Sequence, residues 1–258
     1  MIRLVICALE DVIELDENNI VKEEVLDQVL ALKEKGIQFG IATGKNYNAV
    51  KDLFGRVKDD ILYICNDGGV VIYQDKVISE ATIDRLVCLG ILDDLEDKND
   101  IDAVLFGQKD AVMLHHNFWL SDMVNSAGIK AEFSDDPDQM RGNTTKIALF
   151  ARNGWDEHSY NELFTKWASK ANVSATDVHQ AFITAAGVNK GAAIGAVQEL
   201  YDISKEDTVV FGANFSDIDM FDYSYFGYAM MHSNPQVKNS AQHIAENIEI
   251  IIEDILRI

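Results

Sequence analysis

Residues 5–14 read VICALEDVIE, an apolar run that leads directly into two carboxylates. The first half is typical of a buried strand, and Glu10 and Asp11 then form an acidic turn. In α/β proteins, ligands bind outside the carboxyl ends of the parallel strands. The turn is therefore the first candidate functional segment, although the last strand positions, Ala8 and Leu9, carry no reactive group.

The segments that follow alternate between helix and strand patterns. Residues 21–36 (VKEEVLDQVLALKEKG) predict an amphipathic helix that ends at Gly36, and residues 37–42 (IQFGIA) predict a second strand. Residues 46–57 predict a second helix, and residues 61–65 predict a third strand. Strands separated by helices at this interval imply a parallel sheet with right-handed crossovers.

The middle of the chain departs from this alternation. Residues 101–107 and 111–116 predict a hairpin, and the strands beyond it alternate irregularly with a helix. The regular alternation of strands and helices then returns. The sequence therefore predicts an α/β fold, in which a Rossmann-like parallel sheet forms a core domain (1–81 and 184–258) and an α+β domain (82–183) is inserted into it.

The composition is strongly acidic, with 22 Lys and Arg against 43 Asp and Glu and a formal net charge of -21. Such a chain repels nucleic acid and anionic membranes, so we expect neither as a partner. No run approaches the ~20 apolar residues of a membrane span, and no signal-peptide pattern is present. Cys7, Cys65 and Cys88 lack metal or disulfide spacing and are expected to be buried thiols, which predicts a cytoplasmic location.

Four short polar signatures follow predicted strands or begin predicted helices: ALED (8–11), TGK (43–45), NKG (189–191) and GANFSD (212–217). In this order and spacing, the sequence resembles the haloacid-dehalogenase-like phosphatases. It is most similar to the Cof-like sugar-phosphate phosphatases, the branch with a large α/β cap. The resemblance covers the whole chain, and its most specific segments are GVNKGAAIGAV and FGANFSDIDMF.

The resemblance implies that the first strand has lost its catalyst. In the family this strand ends in Asp-x-Asp-Gly-Thr, where the first Asp attacks phosphorus and the second acts as general acid and base. In the matching register, Ala8 stands at the nucleophile position and Glu10 at the acid and base position, while Asp11 and Val12 replace Gly and Thr. Alanine cannot form an acyl phosphate, so no catalytic residue of the usual kind is expected to be intact.

The fourth family motif, Gly-Asp-x-x-x-Asp, is altered as well. Ala213 stands in place of its first carboxylate, and Asp217 remains. The missing carboxylate normally helps to hold Mg²⁺, which relies on oxygen ligands in near-octahedral geometry. With Ala8 and Ala213 both apolar, we expect no metal site and no cofactor. Asp217 is expected to pair with Lys190 or with a helix N-terminus, because buried charges are usually paired.

The phosphate-binding positions that the resemblance implies are retained. Thr43 offers a hydroxyl group, Gly44 offers a backbone N–H near a helix start, and Lys190 offers a positive charge. Asn66 and Asp217 are expected to contact these groups rather than the ligand itself. The expected ligand is therefore a phosphorylated small molecule or an inorganic oxyanion.

Three further residues carry less specific signals. Lys45 stands where the family often has Arg, so it keeps the charge without the bidentate fork, and a solvated lysine is the alternative interpretation. His115 and His116 end a predicted cap strand. They either face a ligand or have a structural role, since a His pair without a third ligand lacks metal-binding spacing.

Three functional interpretations follow. The chain is a catalytically impaired binder of a phosphorylated molecule, an active Mg²⁺-dependent phosphomonoester hydrolase that uses Glu10 or Asp11, or an interaction protein without a ligand. Loss of nucleophilic catalysis typically removes several orders of magnitude in rate, which favours the first interpretation over the second. The retained Thr43, Gly44 and Lys190 favour the first over the third.

Overall fold

The computed structural model describes residues 1–115, 117–134, 143–175 and 178–257. These residues form two compact units, which are described separately. Unit 1 comprises Met1–Gly44, Val50–Ser79 and Asn189–Ile258, and unit 2 comprises Lys45–Ala49 and Glu80–Val188.

Unit 1 is built on a sheet with eight strands among the described residues. In spatial order they are β14 (His243–Ala245), β13 (Phe226–Met230), β12 (Thr208–Gly212), β1 (Leu4–Ala8), β2 (Gln38–Ala42), β3 (Leu62–Cys65), β4 (Val70–Tyr73) and β5 (Lys76–Glu80). The neighbours from β14 to β3 pair in parallel, whereas β3 and β4 pair antiparallel. The predicted parallel-sheet core is therefore confirmed, with β1 at its centre.

The central position of β1 follows from its sequence. All five of its residues are buried, as expected for a parallel strand that is covered on both faces. The helices of unit 1 are α1 (Glu23–Glu34), α6 (Lys190–Tyr201), α7 (Ile218–Phe221), α8 (Pro235–Ser240) and α9 (Ile248–Arg257). Helix α1 buries an apolar stripe with helical spacing that contains Val25, Val29 and Leu32, which confirms the amphipathic helix predicted there.

The helix predicted over residues 46–57 is much shorter in the structure. Helix α2 spans only Tyr47–Val50, and a 3₁₀ segment, Lys51–Val57, follows it. Gly55 interrupts that segment with φ 45°, a conformation that an α-helix cannot accommodate. The helical sequence pattern did not reveal this left-handed position.

The segment Lys45–Ala49 groups with unit 2, although the sequence places it in the core domain. The reason is the fully buried Asn46, whose Nδ2 donates to the backbone oxygens of Lys109 at 3.3 Å and Lys130 at 2.9 Å. The Lys130 N–H donates back to Asn46 Oδ1 at 3.2 Å. The Asn46 side-chain amide thus forms hydrogen bonds with backbone groups of two separate loops of unit 2.

Unit 2 contains a second, mainly antiparallel sheet. In spatial order its described strands are β10 (Ala171–Ala175), β11 (Gln180–Ala185), β9 (Lys146–Ala151), β6 (Ile101–Phe106), β7 (Ala111–Met113) and β8 (Ala131–Phe133). Its helices are α3 (Arg85–Asp93), α4 (Phe118–Ser126) and α5 (Glu157–Trp167). The predicted α+β character of the insert and the hairpin of β6 and β7 are confirmed, whereas α3, α4, β8 and β10 were not predicted.

The helices of unit 2 cover both faces of its sheet. Alternate residues of β6 point to opposite faces, so Leu105 packs in one core with α3 and α5, and Phe106 packs in the other with α4. Both faces are therefore dry, which explains why β6 and β9 are buried along their whole length. Within the described residues, no helix combines the length and apolarity that crossing a membrane requires.

A close backbone approach fixes the start of α6 against the turn that follows β3. Gly68 has φ 98°, and a Cβ atom added there would lie 2.2 Å from the backbone oxygen of Asn189. Gly36 also has a positive φ, 75°, but an added Cβ atom would meet nothing within 4 Å. An alanine would therefore be strained in its backbone at both positions, but it would overlap with neighbouring atoms only at position 68.

We expect Gly68→Ala to destabilise the protein more than Gly36→Ala. The left-handed conformation alone costs about 1–2 kcal/mol at either position, and overpacking against Asn189 adds about 1–3 kcal/mol at position 68 only. Urea unfolding of the two variants measures the difference. Equal losses would contradict the close approach of this turn to α6.

Candidate functional site

The polar signatures of unit 1 meet at one edge of its sheet. Ala8 of β1 lies opposite Ala42 of β2, and Cys7 of β1 lies opposite Phe211 of β12. Because these strands are parallel, the residues that follow them emerge side by side. The turn after β1, the Thr43-Gly44 segment and the loop after β12 therefore form a single site within unit 1.

The turn after β1 begins with a buried methyl group. Ala8 is fully buried at the last position of the strand, and Leu9 continues the apolar run. Asp11 then adopts φ 60°, in the left-handed region that glycine occupies without strain. This conformation agrees with the register in which Asp11 stands at the family's Gly position.

Lys190 begins α6 and projects into this site. Asn189 is the N-cap residue of the helix, and its side chain accepts from the N–H of Ala192 at 2.7 Å. The Lys190 side chain is only 4% exposed, and its Nζ donates to Asp217 Oδ1 at 2.8 Å. Ser216 Oγ lies at 3.4 Å from the same nitrogen.

Asp217 is fully buried, and both of its carboxylate oxygens are engaged. Oδ1 accepts from Lys190, and Oδ2 accepts from the backbone N–H groups of Ala213 and Asn214, each at 2.9 Å. The predicted pairing of Asp217 with Lys190 is therefore present, and the carboxylate also closes the loop after β12. Ala213 is buried and contributes a methyl group.

Glu10 lies between two of the predicted phosphate-binding residues. Its Oε1 accepts a hydrogen bond from the hydroxyl of the buried Thr43. Its Oε2 lies 3.9 Å from Lys190 Nζ and makes no hydrogen bond to described residues. The Glu10 carboxylate thus occupies the space between the Thr43 hydroxyl and the Lys190 ammonium group.

The segment after β3 completes the edge. Asn66 and Asp67 both have positive φ, 56° and 57°, and Asn66 is fully buried. A Cβ atom added to Gly44 would lie 3.0 Å from Asp67 Oδ1, so the Asp67 carboxylate approaches the Gly44 backbone closely. The supporting role expected of Asn66 stays a prediction.

Several charges act on the ammonium group of Lys190. Burial by itself lowers the pKa of Lys190, but the attraction of Asp217, Glu10 and Asp67 outweighs it, so the pKa of Lys190 is raised above its ordinary value. Lys190 is therefore cationic throughout the physiological pH range. Its positive charge is balanced by more than one carboxylate.

The donors at this edge do not match the set that Mg²⁺ prefers. Ala8 and Ala213 offer no side-chain oxygen, and both oxygens of Asp217 already accept hydrogen bonds. Among the described residues, no group of three or more His, Cys, Asp or Glu side chains could hold a metal ion. We therefore derive no step through Mg²⁺, and its absence from the site stays a prediction.

The remaining candidates lie in unit 2. Lys45 is half-buried, and a Cβ atom added to Gly128 would lie 2.8 Å from its Nζ; its role in binding an anion stays a prediction. The Nδ1 atom of His115 lies 3.1 Å from Asp102 Oδ1, and Asn117 Nδ2 donates to Asp102 Oδ2 at 3.2 Å. This arrangement supports the structural interpretation of His115.

His116, the second histidine of the predicted pair, lies outside the described residues.

Sequence reasoning missed two residues that hold the turn after β1. Asn214 Nδ2 donates to Asp11 Oδ2 at 3.1 Å, and His232 Nε2 lies 2.9 Å from the Asp11 backbone oxygen. Asp217 follows Asn214 by three positions, which is the spacing of a capping box, and that signal was available. His232 lies more than 200 positions from the turn, and no local pattern marks it.

Comparison with known families agrees with this fold and site. The family model of the haloacid dehalogenase-like hydrolases matches residues 13–249 of the chain, so the chain belongs to that family. The match begins immediately after the turn that carries Glu10 and Asp11. The fold class predicted from the sequence, a Rossmann-like core with an inserted α+β domain, is confirmed.

Three relatives that are distant in sequence cover nearly the whole chain. The chain is 20% identical to the 5-amino-6-(5-phospho-D-ribitylamino)uracil phosphatase YbjI of Escherichia coli over 99% of its own length and 97% of that protein. The structure of TM0651 from Thermotoga maritima is similar with a TM-score of 0.84 at 19% identity, covering 98% of this chain and 97% of that one. The subclass IIB sugar phosphatase BT4131 of the same superfamily has a TM-score of 0.79 at 17% identity, covering 99% of this chain and all of that one.

The buried ion pair generates a stability prediction. Asp217→Ala leaves Lys190 without its main partner, and we expect a loss of about 3–5 kcal/mol in the free energy of unfolding. Asp254→Ala, which breaks the exposed pair with Arg257, is the matched control and should cost at most about 1 kcal/mol. Urea unfolding at neutral pH measures both values.

The pH dependence of this loss has a defined sign. Because folding raises the pKa of Lys190, the pair stabilises the protein fully below the ordinary lysine pKa of about 10.4. This stabilisation disappears only as the pH rises through the raised pKa. In the double variant Lys190→Met/Asp217→Asn neither group titrates, so the difference in unfolding free energy between it and the wild type should stay constant between about pH 6 and 9; a difference that shrinks there would contradict this assignment.

Proposed function

We propose that this chain binds a phosphorylated small molecule or an inorganic oxyanion, and that it does not hydrolyse phosphomonoesters by the usual mechanism of its family. The observation that carries the proposal is the buried methyl group of Ala8 at the end of β1. A methyl group cannot attack phosphorus. Ala213 places a second methyl group where the family motif has a carboxylate.

The proposed anion site consists of Thr43, Gly44 and Lys190. An ammonium group has three N–H donors, and Asp217 accepts from Lys190 at 2.8 Å. The other two neighbours of Lys190 Nζ, Ser216 Oγ and Glu10 Oε2, lie at the longer distances of 3.4 and 3.9 Å. A ligand oxygen can replace these long contacts with a charge-assisted hydrogen bond.

The chemical class of ligand is suggested by the relatives. The Escherichia coli relative is named as a phosphatase of 5-amino-6-(5-phospho-D-ribitylamino)uracil, and BT4131 is named as a sugar phosphatase. Sugar phosphates and inorganic phosphate are therefore the first probes to use. We also propose a reducing, cytoplasmic environment, since Cys7, Cys65 and Cys88 are buried and form no disulfide.

A second candidate function is an active hydrolase that uses Glu10 or Asp11. The position of Glu10 favours it, because this carboxylate contacts Thr43 and lies near Lys190. Asp11 is a poorer candidate, since its carboxylate is exposed and accepts from the Asn214 amide. In this alternative the enzyme would require Mg²⁺, for which the donors at the site are a poor match.

The binding proposal predicts a Mg²⁺-independent interaction with phosphate or glucose 6-phosphate. We expect Lys190→Ala and the better-packed Lys190→Met to weaken affinity about tenfold or more, because a charged hydrogen bond is worth about 1.5–3 kcal/mol. Lys33→Ala removes a surface lysine that pairs with Asp60 and is the matched control. Isothermal titration with and without Mg²⁺ measures the affinities, and circular dichroism confirms that the variants fold.

Two titration results would count against the proposal. Binding that occurs only with Mg²⁺ would favour the hydrolase interpretation. No binding of either probe to folded wild-type protein would favour an interaction protein without a ligand.

The proposed cause of inactivity predicts how activity returns. We expect no detectable hydrolysis of p-nitrophenyl phosphate by the wild type. Ala8→Asp combined with Ala213→Asp, in a background of Glu10→Asp, Asp11→Gly and Val12→Thr, should give Mg²⁺-dependent hydrolysis. Either alanine replacement alone should not, because nucleophile and metal ligand act as a unit.

The same assay tests the alternative. Wild-type turnover in the ordinary enzyme range of ~1–10³ s⁻¹, abolished by Glu10→Gln, would establish Glu10 as a catalytic residue and overturn the proposal. A restored variant that folds and binds Mg²⁺ without turnover would show that the register of the first strand is wrong.

A further inference from the structure

Glu10 is placed where a bound anion would be expected. Its Oε1 accepts from the Thr43 hydroxyl, and its buried Oε2 lies 3.9 Å from Lys190 Nζ without a hydrogen-bond partner among the described residues. Thr43 and Lys190 are two of the three groups assigned to the anion. The protein's own carboxylate therefore already contacts or approaches both of them.

We infer that Glu10 is an internal competitor for the anion site, and that His232 is a positioning residue that keeps it there. This inference rests on the proposed function, because competition requires a ligand that uses the same donors. A phosphate oxygen and the Glu10 carboxylate cannot both occupy the space between Thr43 and Lys190. Binding therefore requires the Glu10 side chain to move aside.

The carboxylates around Lys190 make the binding of a further anion unfavourable. The single negative charge of Asp217 is sufficient to neutralise Lys190. Asp217 Oδ1 accepts a hydrogen bond from Lys190 Nζ at 2.8 Å. Glu10 and Asp67 add two further carboxylates that act on the same ammonium group. Removing the charge of Glu10 removes like-charge repulsion against an incoming anion and leaves the Lys190–Asp217 pair intact.

The backbone that carries Glu10 is fixed by two residues from distant parts of unit 1. The Asp11 backbone oxygen lies 2.9 Å from His232 Nε2, and a neutral or a protonated imidazole can donate at this distance. Asn214 Nδ2 donates to Asp11 Oδ2 at 3.1 Å and approaches the Glu10 backbone oxygen at 3.5 Å. These contacts hold Asp11 at φ 60°, a strained conformation for a residue other than glycine, and so set the direction of the Glu10 side chain.

The first test is the charge of Glu10. We expect Glu10→Gln to bind inorganic phosphate about tenfold more tightly than the wild type, because one competing charge is removed while a side chain of the same size remains. Glu14→Gln is the matched control, since Glu14 belongs to the same acidic segment but is exposed and pairs with Lys22. Isothermal titration with inorganic phosphate measures all three proteins. Equal or weaker binding by Glu10→Gln would overturn the inference.

The second test separates positioning from a general structural role. If His232 keeps Glu10 in the site, His232→Ala should tighten phosphate binding in the wild-type background and have no further effect in the Glu10→Gln background. His232→Gln retains an N–H donor of similar reach and should restore the wild-type affinity. A merely structural role would instead weaken binding in both backgrounds, and that result would overturn the positioning role.

Lys190→Met in the Glu10→Gln background distinguishes this inference from the proposed function. If wild type and Glu10→Gln bind phosphate equally, and Lys190→Met abolishes binding in both, the anion site stands and the competition by Glu10 is wrong. If Glu10→Gln binds and the wild type does not, the competition by Glu10 is supported and the proposed ligand binding by the wild type is wrong. If no folded variant binds phosphate, the proposed function and this inference are both wrong.

Discussion

The buried contact between Lys190 and Asp217 organises the candidate site. A lysine that is almost fully buried requires a partner, because an isolated ammonium group in an apolar environment is strongly destabilising. Asp217 meets this requirement and also binds two backbone N–H groups of the loop after β12. The start of α6 and that loop are thereby fixed to each other at the carboxyl edge of the sheet.

The proposed anion-binding groups and the positions of the family's reactive groups depend on different features of the chain. The groups proposed to bind an anion depend on the ion pair and on strand ends that the parallel sheet brings together. The groups that would attack phosphorus or hold a metal ion depend on single side chains, and two of those positions are the buried methyl groups of Ala8 and Ala213. Alanine at positions 8 and 213 is therefore compatible with an intact backbone scaffold around Thr43, Gly44 and Lys190.

The turn after β1 shows how the rest of unit 1 stabilises a strained segment. Asp11 has a left-handed backbone, which costs about 1–2 kcal/mol for a residue other than glycine. The amide of Asn214 and the imidazole of His232 offset part of this cost by contacting the turn directly. Both partners come from loops that follow strands of the same parallel sheet, so the fold that creates the edge also supplies its support.

The sequence alone determined the parallel-sheet core, the α+β insert and the presence of alanine at positions 8 and 213. Local periodicity and residue type are enough for these conclusions, because each depends on neighbouring residues or on one side chain. It missed the break of the second helix at Gly55, helices α3 and α4, and the grouping of Lys45–Ala49 with unit 2. Only the tertiary structure decided that Glu10 lies between Thr43 and Lys190 and that His232 contacts Asp11, since these contacts join residues from 33 to 221 positions apart, beyond the reach of any local pattern.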